Sequence, residues 1–121
     1  MTINVALLKQ TLAHIEAHPD EWNQADYRCG SGMCVAGWAA QFAGGKWYAD
    51  DPDAGFGDAL IAEPDEPNSF RMDDVRLVYA DHRAQRVLGL DGEQADRLFE
   101  GSNSLPDLRR IVAELVEEAA A

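Results

Sequence analysis

Between His18 and Gly45 the run HPDEWNQADYRCGSGMCVAGWAAQFAGG gathers both cysteines of the chain, Cys29 and Cys34. Trp22, Tyr27 and Trp38 lie around them, with glycines at 30, 32, 37, 44 and 45. A glycine-rich turn that delivers a cysteine onto the first turn of a small-residue helix admits three chemistries. The helix dipole can favour the Cys34 thiolate and make it a nucleophile. Cys29 and Cys34, at C-x4-C spacing, can enter a tetrahedral zinc site completed by His14, His18 or His82. Both can also be small buried hydrophobes at a tightly packed corner, with Gly37 letting another helix approach Trp38.

Each chemistry makes further demands. The run Cys29-Gly30-Ser31 with Cys34 and Trp38 resembles the papain-type segment around its nucleophile only loosely, because Gly32 and Met33 intervene and the tryptophan stands four residues on. A base would have to come from His82, oriented by Asp81, and no strand is evident to hold it opposite the thiol. For zinc there is no second cysteine pair, and Pro19 ends the helix that would carry His14-x3-His18. A Cys29–Cys34 disulfide fits the short loop but not a reducing compartment. The packed corner is therefore the expectation: no catalytic residue, no metal site and no cofactor is assigned, with a cysteine- or zinc-dependent site at Cys29 and Cys34 kept as the alternative.

Charge supplies the second signal. Residues 49–74 hold nine acidic residues against one arginine, −8 of the net −12. An excess this negative repels nucleic-acid phosphates and anionic lipid surfaces, which predicts no direct nucleic-acid binding and no membrane association. Arg83, Arg86 and Arg97 are the one candidate basic patch, interleaved with Asp81 and Asp96, and read as a solvated helix face. The surrounding segment, about 46–72, is broken by Asp-Pro at 51–52, Gly-Phe-Gly at 55–57 and Glu-Pro-Asp-Glu-Pro at 63–67. So many acids cannot be buried unpaired, so a surface loop lying outside the core is expected. A loop of that length is either a solvated linker or functional. Its sharper reading is a partner-binding surface with Trp47, Tyr48, Phe56 and Phe70 as anchors and Asp50, Asp51 and Asp53 steering a basic partner. Calcium on Asp50, Asp51, Asp53 and Asp58 is a weaker alternative, since the spacing is not that of an EF-hand.

The elements around these residues read as helices. Val5, Leu8, Leu12 and Ile15 predict a helix over 3–17, and Pro19 opens a short one anchored by Trp22. Ser31 is the expected cap of a helix from about 32 to 43, ended by Gly44-Gly45. Asp73 to Leu88 reads as a helix with acids at its start and Gly89 at its end. Asp91 with Gln94 and Ser104 with Asp107 are capping pairs for two more. In the last, Leu108, Ile111, Val112, Leu115, Val116 and Ala119 form one apolar stripe. The best strand candidate, Ala59 to Ala62, is too brief to stand alone.

Cys34-Val35-Ala36-Gly37-Trp38-Ala39, His18-Pro19 with Trp22, Arg83 through Leu90, and Ala95-Asp96-Arg97-Leu98-Phe99 together resemble a group of small, mostly uncharacterised proteins from actinobacteria and their phages. The resemblance skips the acidic middle and the extreme N-terminus. It implies a bacterial or phage-encoded cytoplasmic protein and names no substrate. The expected fold is thus all-α, one domain over 1–121: a compact bundle of five or six short helices with a long acidic irregular insert. No secretory signal or apolar span is evident. The expected function is a cytoplasmic protein-interaction module that binds a host or cellular protein with a basic surface. The other alternative is a helix-turn-helix-like DNA reader in 73–119.

Overall fold

In the computed structural model, which describes residues 2–25 and 32–120, the chain runs α1 (Val5–Ala17), a 3-10 turn (Pro19–Glu21), α2 (Val35–Phe42), β1 (Ala59–Ile61), β2 (Phe70–Met72), β3 (Val75–Tyr79), α3 (Ala80–Leu88), α4 (Gly92–Phe99) and α5 (Leu105–Ala120). Among the described residues the architecture is mixed: five α-helices and a three-stranded antiparallel sheet ordered β1-β3-β2. This corrects the all-α expectation.

The reason lies at Asp73-Asp74. Read as the acidic first turn of a helix, the pair instead forms the two-residue turn of a hairpin, with φ of 49° and 66°, and Met72 pairs with Val75 across it. Two left-handed residues are what a turn matched to the twist of antiparallel strands requires, and aspartate tolerates that conformation. Val75, Leu77 and Tyr79 then alternate with Arg76 and Val78, a period-2 pattern of β-branched, aliphatic and aromatic residues. The helix begins only at Ala80. Ala59–Ile61 does not stand alone: it pairs with β3 on one side and meets Trp47 on the other through an antiparallel bridge, with the Tyr48 amide donating to the Ala59 carbonyl at 2.9 Å and the Ile61 amide to the Lys46 carbonyl at 2.8 Å.

Most of the core lies among the helices. Leu8 and Ile15 of α1, Val35, Ala36 and Ala39 of α2, Leu88 of α3, Leu98 of α4 and Leu108, Ile111 and Leu115 of α5 are buried together. A second cluster, Ala40, Leu60, Val78 and Ala80, joins the sheet to α2, and Trp47 packs against both. Because Leu60 and Val78 are paired across β1 and β3, they share the helix-facing side of the sheet. Part of the acidic segment therefore lies inside the core, contrary to the expectation that all of it lies outside.

Local signals placed the remaining helices well. Asp91 and Gln94 form a reciprocal capping box, and Ser104 and Asp107 exchange the same pair of bonds before α5. Gly89 ends α3 in the left-handed conformation at φ 71°. Gly44, at φ 87°, follows α2. That helix starts at Val35 with Cys34 as its N-cap, later than expected; Ser31 lies outside the described residues.

Candidate functional site

The cysteine corner is built around Gln24. Its side-chain oxygen accepts from the Trp22 indole at 3.0 Å and from the Val35 amide at 3.3 Å, supplying an acceptor to the first turn of α2. Its amide nitrogen donates at 3.1 Å to the carbonyls of Leu98 and Glu100, at the end of α4. One buried amide thus joins two helix termini with its hydrogen-bonding groups satisfied. Nearby, the Met33 amide donates to the Glu21 carbonyl at 3.1 Å and the Asn23 amide to the Met33 carbonyl at 3.0 Å. Gly32 allows this approach: at φ 136°, a Cβ would lie 2.5 Å from the Glu21 oxygen.

Cys34 is 1% exposed, and burial pushes its thiol up to about 11 despite the opposing backbone amides of Gly37 and Ala36. The dipole of a two-turn helix does not offset that desolvation, so at neutral pH the sulfur is a protonated thiol in an apolar setting. Cys29, and with it the proposed zinc knuckle and disulfide, lies outside the described residues. Among the described residues no group of three or more His, Cys, Asp or Glu side chains could hold a metal ion. His14 instead contacts Glu21 at 3.1 Å and packs its ring on Trp38, with centroids 4.2 Å apart.

His82 faces Ser69: its Nδ1 lies 2.8 Å from the serine oxygen, which also accepts from the Tyr79 amide at 3.2 Å. A hydroxyl against an imidazole has the elements of a nucleophile and base, but this oxygen is engaged twice and the pair ties the start of β2 to the first turn of α3.

The arginines expected on a solvated face are neutralised instead. Arg83 is 2% exposed and grips Glu66 in a fork, Nε to Oε2 at 2.6 Å and Nη2 to Oε1 at 2.5 Å, with a further bond to the Ile61 carbonyl at 3.1 Å. Arg86 reaches Glu66 at 3.1 Å and Glu63 at 3.1 Å. Arg76 donates to the backbone carbonyls of Glu63, Pro64 and Glu66. Burial works to raise the Glu66 carboxyl, but the Arg83 hydrogen bonds, the Glu63 amide and the two guanidinium charges hold it below its ordinary value. Arg97 is bound to Glu118 at 2.9 Å on α5. A phosphate would find these cations already paired.

The expected partner-binding residues separate into two groups. Trp47 is half-buried, with its indole donating to the Gln41 side chain at 3.1 Å, and Tyr48 is half-buried beside β1. Asp50, Asp51 and Asp53 are exposed on the turns that lead to β1. Phe56 and Phe70 come together, with ring centroids 5.2 Å apart, and the row continues through Tyr79 at 4.9 Å and His82 at 5.6 Å. Register explains this: Phe70 pairs with Leu77, so Tyr79 is its diagonal neighbour on the sheet face turned away from the helices. Phe56 and Tyr79 are 42% and 40% exposed. A continuous helix over 73–88 does not bring Tyr79, or the candidate base His82, beside Phe70; the strand at Val75–Tyr79 does.

Comparison with known protein families, curated proteins and solved structures finds no match to this chain. Among the described residues no helix is long and apolar enough to cross a membrane.

Proposed function

We propose that this chain is a small cytoplasmic protein-interaction module that binds a cellular protein with a basic surface through its acidic, aromatic segment. One observation carries the reading: exposed Phe56 and Tyr79 are joined through the half-buried Phe70, and Phe56 and Phe70 belong to the segment, 49–74, that holds two thirds of the net charge. Apolar anchors rimmed by charge are the usual composition of a binding patch, with the rings supplying desolvated contact and the carboxylates steering the encounter. Trp47 packs against the core beneath β1 and Tyr48 hydrogen-bonds along it, while the exposed Asp50, Asp51 and Asp53 belong to the same segment as Phe56 and Phe70 and supply its steering charge. The reading uses no catalytic residue, metal or cofactor. The paired state of Arg83, Arg86 and Arg97 weighs against the DNA-reader alternative, and the buried, protonated Cys34 against the cysteine enzyme.

Its test is affinity capture from lysate with the wild-type chain and with a Phe56→Ser, Tyr79→Ser variant, followed by binding kinetics of the captured protein across a salt series. A basic partner, lost with the variant, whose association slows steeply with salt while dissociation changes less, is the expected result. A captured partner indifferent to both substitutions and to salt overturns the reading. Deleting 50–66 is unsuitable, because it removes β1 and Glu66.

A further inference from the structure

Strand register sorts the side chains of the sheet in an unusual way. Cross-strand partners share a face, and successive residues of a strand alternate between faces. Leu60 and Val78 pair on the side of the helices, and Arg71 and Arg76 pair on that same side. On the outer side Ala59 meets Tyr79, Ile61 and Phe70 both meet Leu77, and Met72 meets Val75. Both charged residues of the three strands thus lie on the helix side, and every outward residue is apolar. An antiparallel sheet with one solvated face normally shows the reverse alternation.

Exposure singles out the same face. Among the described residues the exposed large hydrophobics are Phe56, Ile61 and Tyr79, at 42, 41 and 40%. Ile61 and Tyr79 belong to the outer face by register, and Phe56 closes on it through Phe70. Ala59 and Leu77 of that face are fully buried yet belong to neither core cluster. The face therefore has a packed floor and an apolar rim open to water, as in a layered fold that lacks one layer.

Size and charge select what completes it. Strands about 4.8 Å apart and a five-residue β3 give a face about 10 Å wide and 17 Å long. That is the footprint of one α-helix of about eleven residues, and it falls well short of the ~800 Å² that each member of a stable protein pair buries. A net charge of −12 also sets a second copy of this chain against the first. The three-residue β2 is a short edge for an added strand. Carboxylates stand at the strand ends: Asp58 before β1, Asp73 and Asp74 in the hairpin turn, and Asp81 two residues after β3.

Resting on the proposed interaction function, we infer that the outer face of the sheet receives one amphipathic helix of the partner, its apolar stripe covering Phe56, Ile61 and Tyr79 and its flanking basic residues meeting the carboxylates at the strand ends. Burial of the three side chains supplies the attraction, and the carboxylates select against a helix with an acidic border.

The test titrates three fourteen-residue synthetic peptides into the isotopically labelled chain: a helix with a leucine stripe bordered by lysines, the same residues with the stripe scrambled, and the same stripe bordered by glutamates. The lysine-bordered helix should bind about tenfold or more tighter than the scrambled peptide and shift the resonances of Phe56, Ile61 and Tyr79, while the glutamate-bordered helix should lose binding. Phe56→Asn, which suits a left-handed position, combined with Ile61→Thr, which keeps the β-branch, should lower the lysine-bordered helix to the affinity of the scrambled peptide with an unchanged circular dichroism spectrum. Equal affinities for the striped and scrambled lysine peptides would overturn helix docking but leave a basic partner intact, held by charge alone. A dimer of the chain in sedimentation, dissolved by the same two substitutions, would overturn it by giving the face to a second copy. No binding by either lysine peptide would overturn both the helix and the basic partner.

Discussion

Glu66→Gln isolates the contact that holds the acidic segment to the helices. The substitution keeps the side-chain volume but removes the charge that answers Arg83, a guanidinium with 2% exposure whose two bonds to Glu66 are 2.5 and 2.6 Å long. Removing one partner of a buried pair leaves the other charge uncompensated and costs about 3–5 kcal/mol. The neutral amide can still accept one hydrogen bond, so the lower end, about 3 kcal/mol, is expected. For a domain whose total stability is on the order of 5–15 kcal/mol, that is a loss visible in any urea titration. Arg86→Ala is the control: its side chain is 45% exposed, and its ion pairs should contribute about 1 kcal/mol or less.

The pH dependence follows from the same contact. The folded Glu66 carboxyl lies below its ordinary value of 4.5, so its contribution is complete above that value and is lost as pH falls through the lower, folded one. Wild-type stability should therefore decline in acid below about pH 4.5 more steeply than that of Glu66→Gln, and the two curves should converge. Urea unfolding followed by circular dichroism and tryptophan fluorescence, repeated from neutral pH to strong acid, measures both effects. A loss under about 1 kcal/mol at neutral pH, or parallel curves in acid, would refute the assignment of Glu66 as the charge that makes the buried Arg83 tolerable.

Three further outcomes test the cysteine corner. In a Cys29→Ser background, Cys34 should react with an aromatic disulfide reagent only at the rate of unfolding, since its sulfur is buried and its thiol is raised to about 11; rapid labelling of the native protein would contradict this. Cys34→Ala should cost on the order of 1 kcal/mol. Gln24→Ala leaves the Val35 amide and the α4 carbonyls without their partner, and should lower the urea midpoint by the equivalent of about 1–3 kcal/mol; a neutral effect would mean that water replaces the amide.

Which parts of this fold were legible depended on the range of the interactions that set them. α1 and α5 are amphipathic over several turns, and the Asp91–Gln94 and Ser104–Asp107 caps close over three residues, so both signals are complete within a short window of sequence. The sheet is not local in that sense. Asp73-Asp74 satisfies the rule for acids at a helix start as well as it satisfies a left-handed hairpin turn, and only pairing with β1 and β2 decides between them. The capping role of Gln24 had no signal, because its bonds to Leu98 and Glu100 cross 74 and 76 residues. The sequence names Phe56 and Phe70 as aromatics of the acidic segment, but the contact between them, Phe70's partial burial and the continuation through Tyr79 and His82 depend on strand register.

The acidic segment illustrates the physical limit most directly. Nine carboxylates in residues 49–74 were taken to exclude the segment from the core because a buried acid must be paired. That premise is sound, yet one pair is enough. Arg83, 17 residues away, supplies the countercharge for Glu66, and Leu60 supplies the apolar contact that makes docking favourable. With one ionic and one apolar attachment, the segment can keep its other carboxylates in water while its turns hold Phe56 against Phe70. The same strands bury Leu60 and Val78 on one face and leave Phe70 and Tyr79 on the other. Anchoring and presentation are thus two sides of a single register, and a one-residue slip would exchange them.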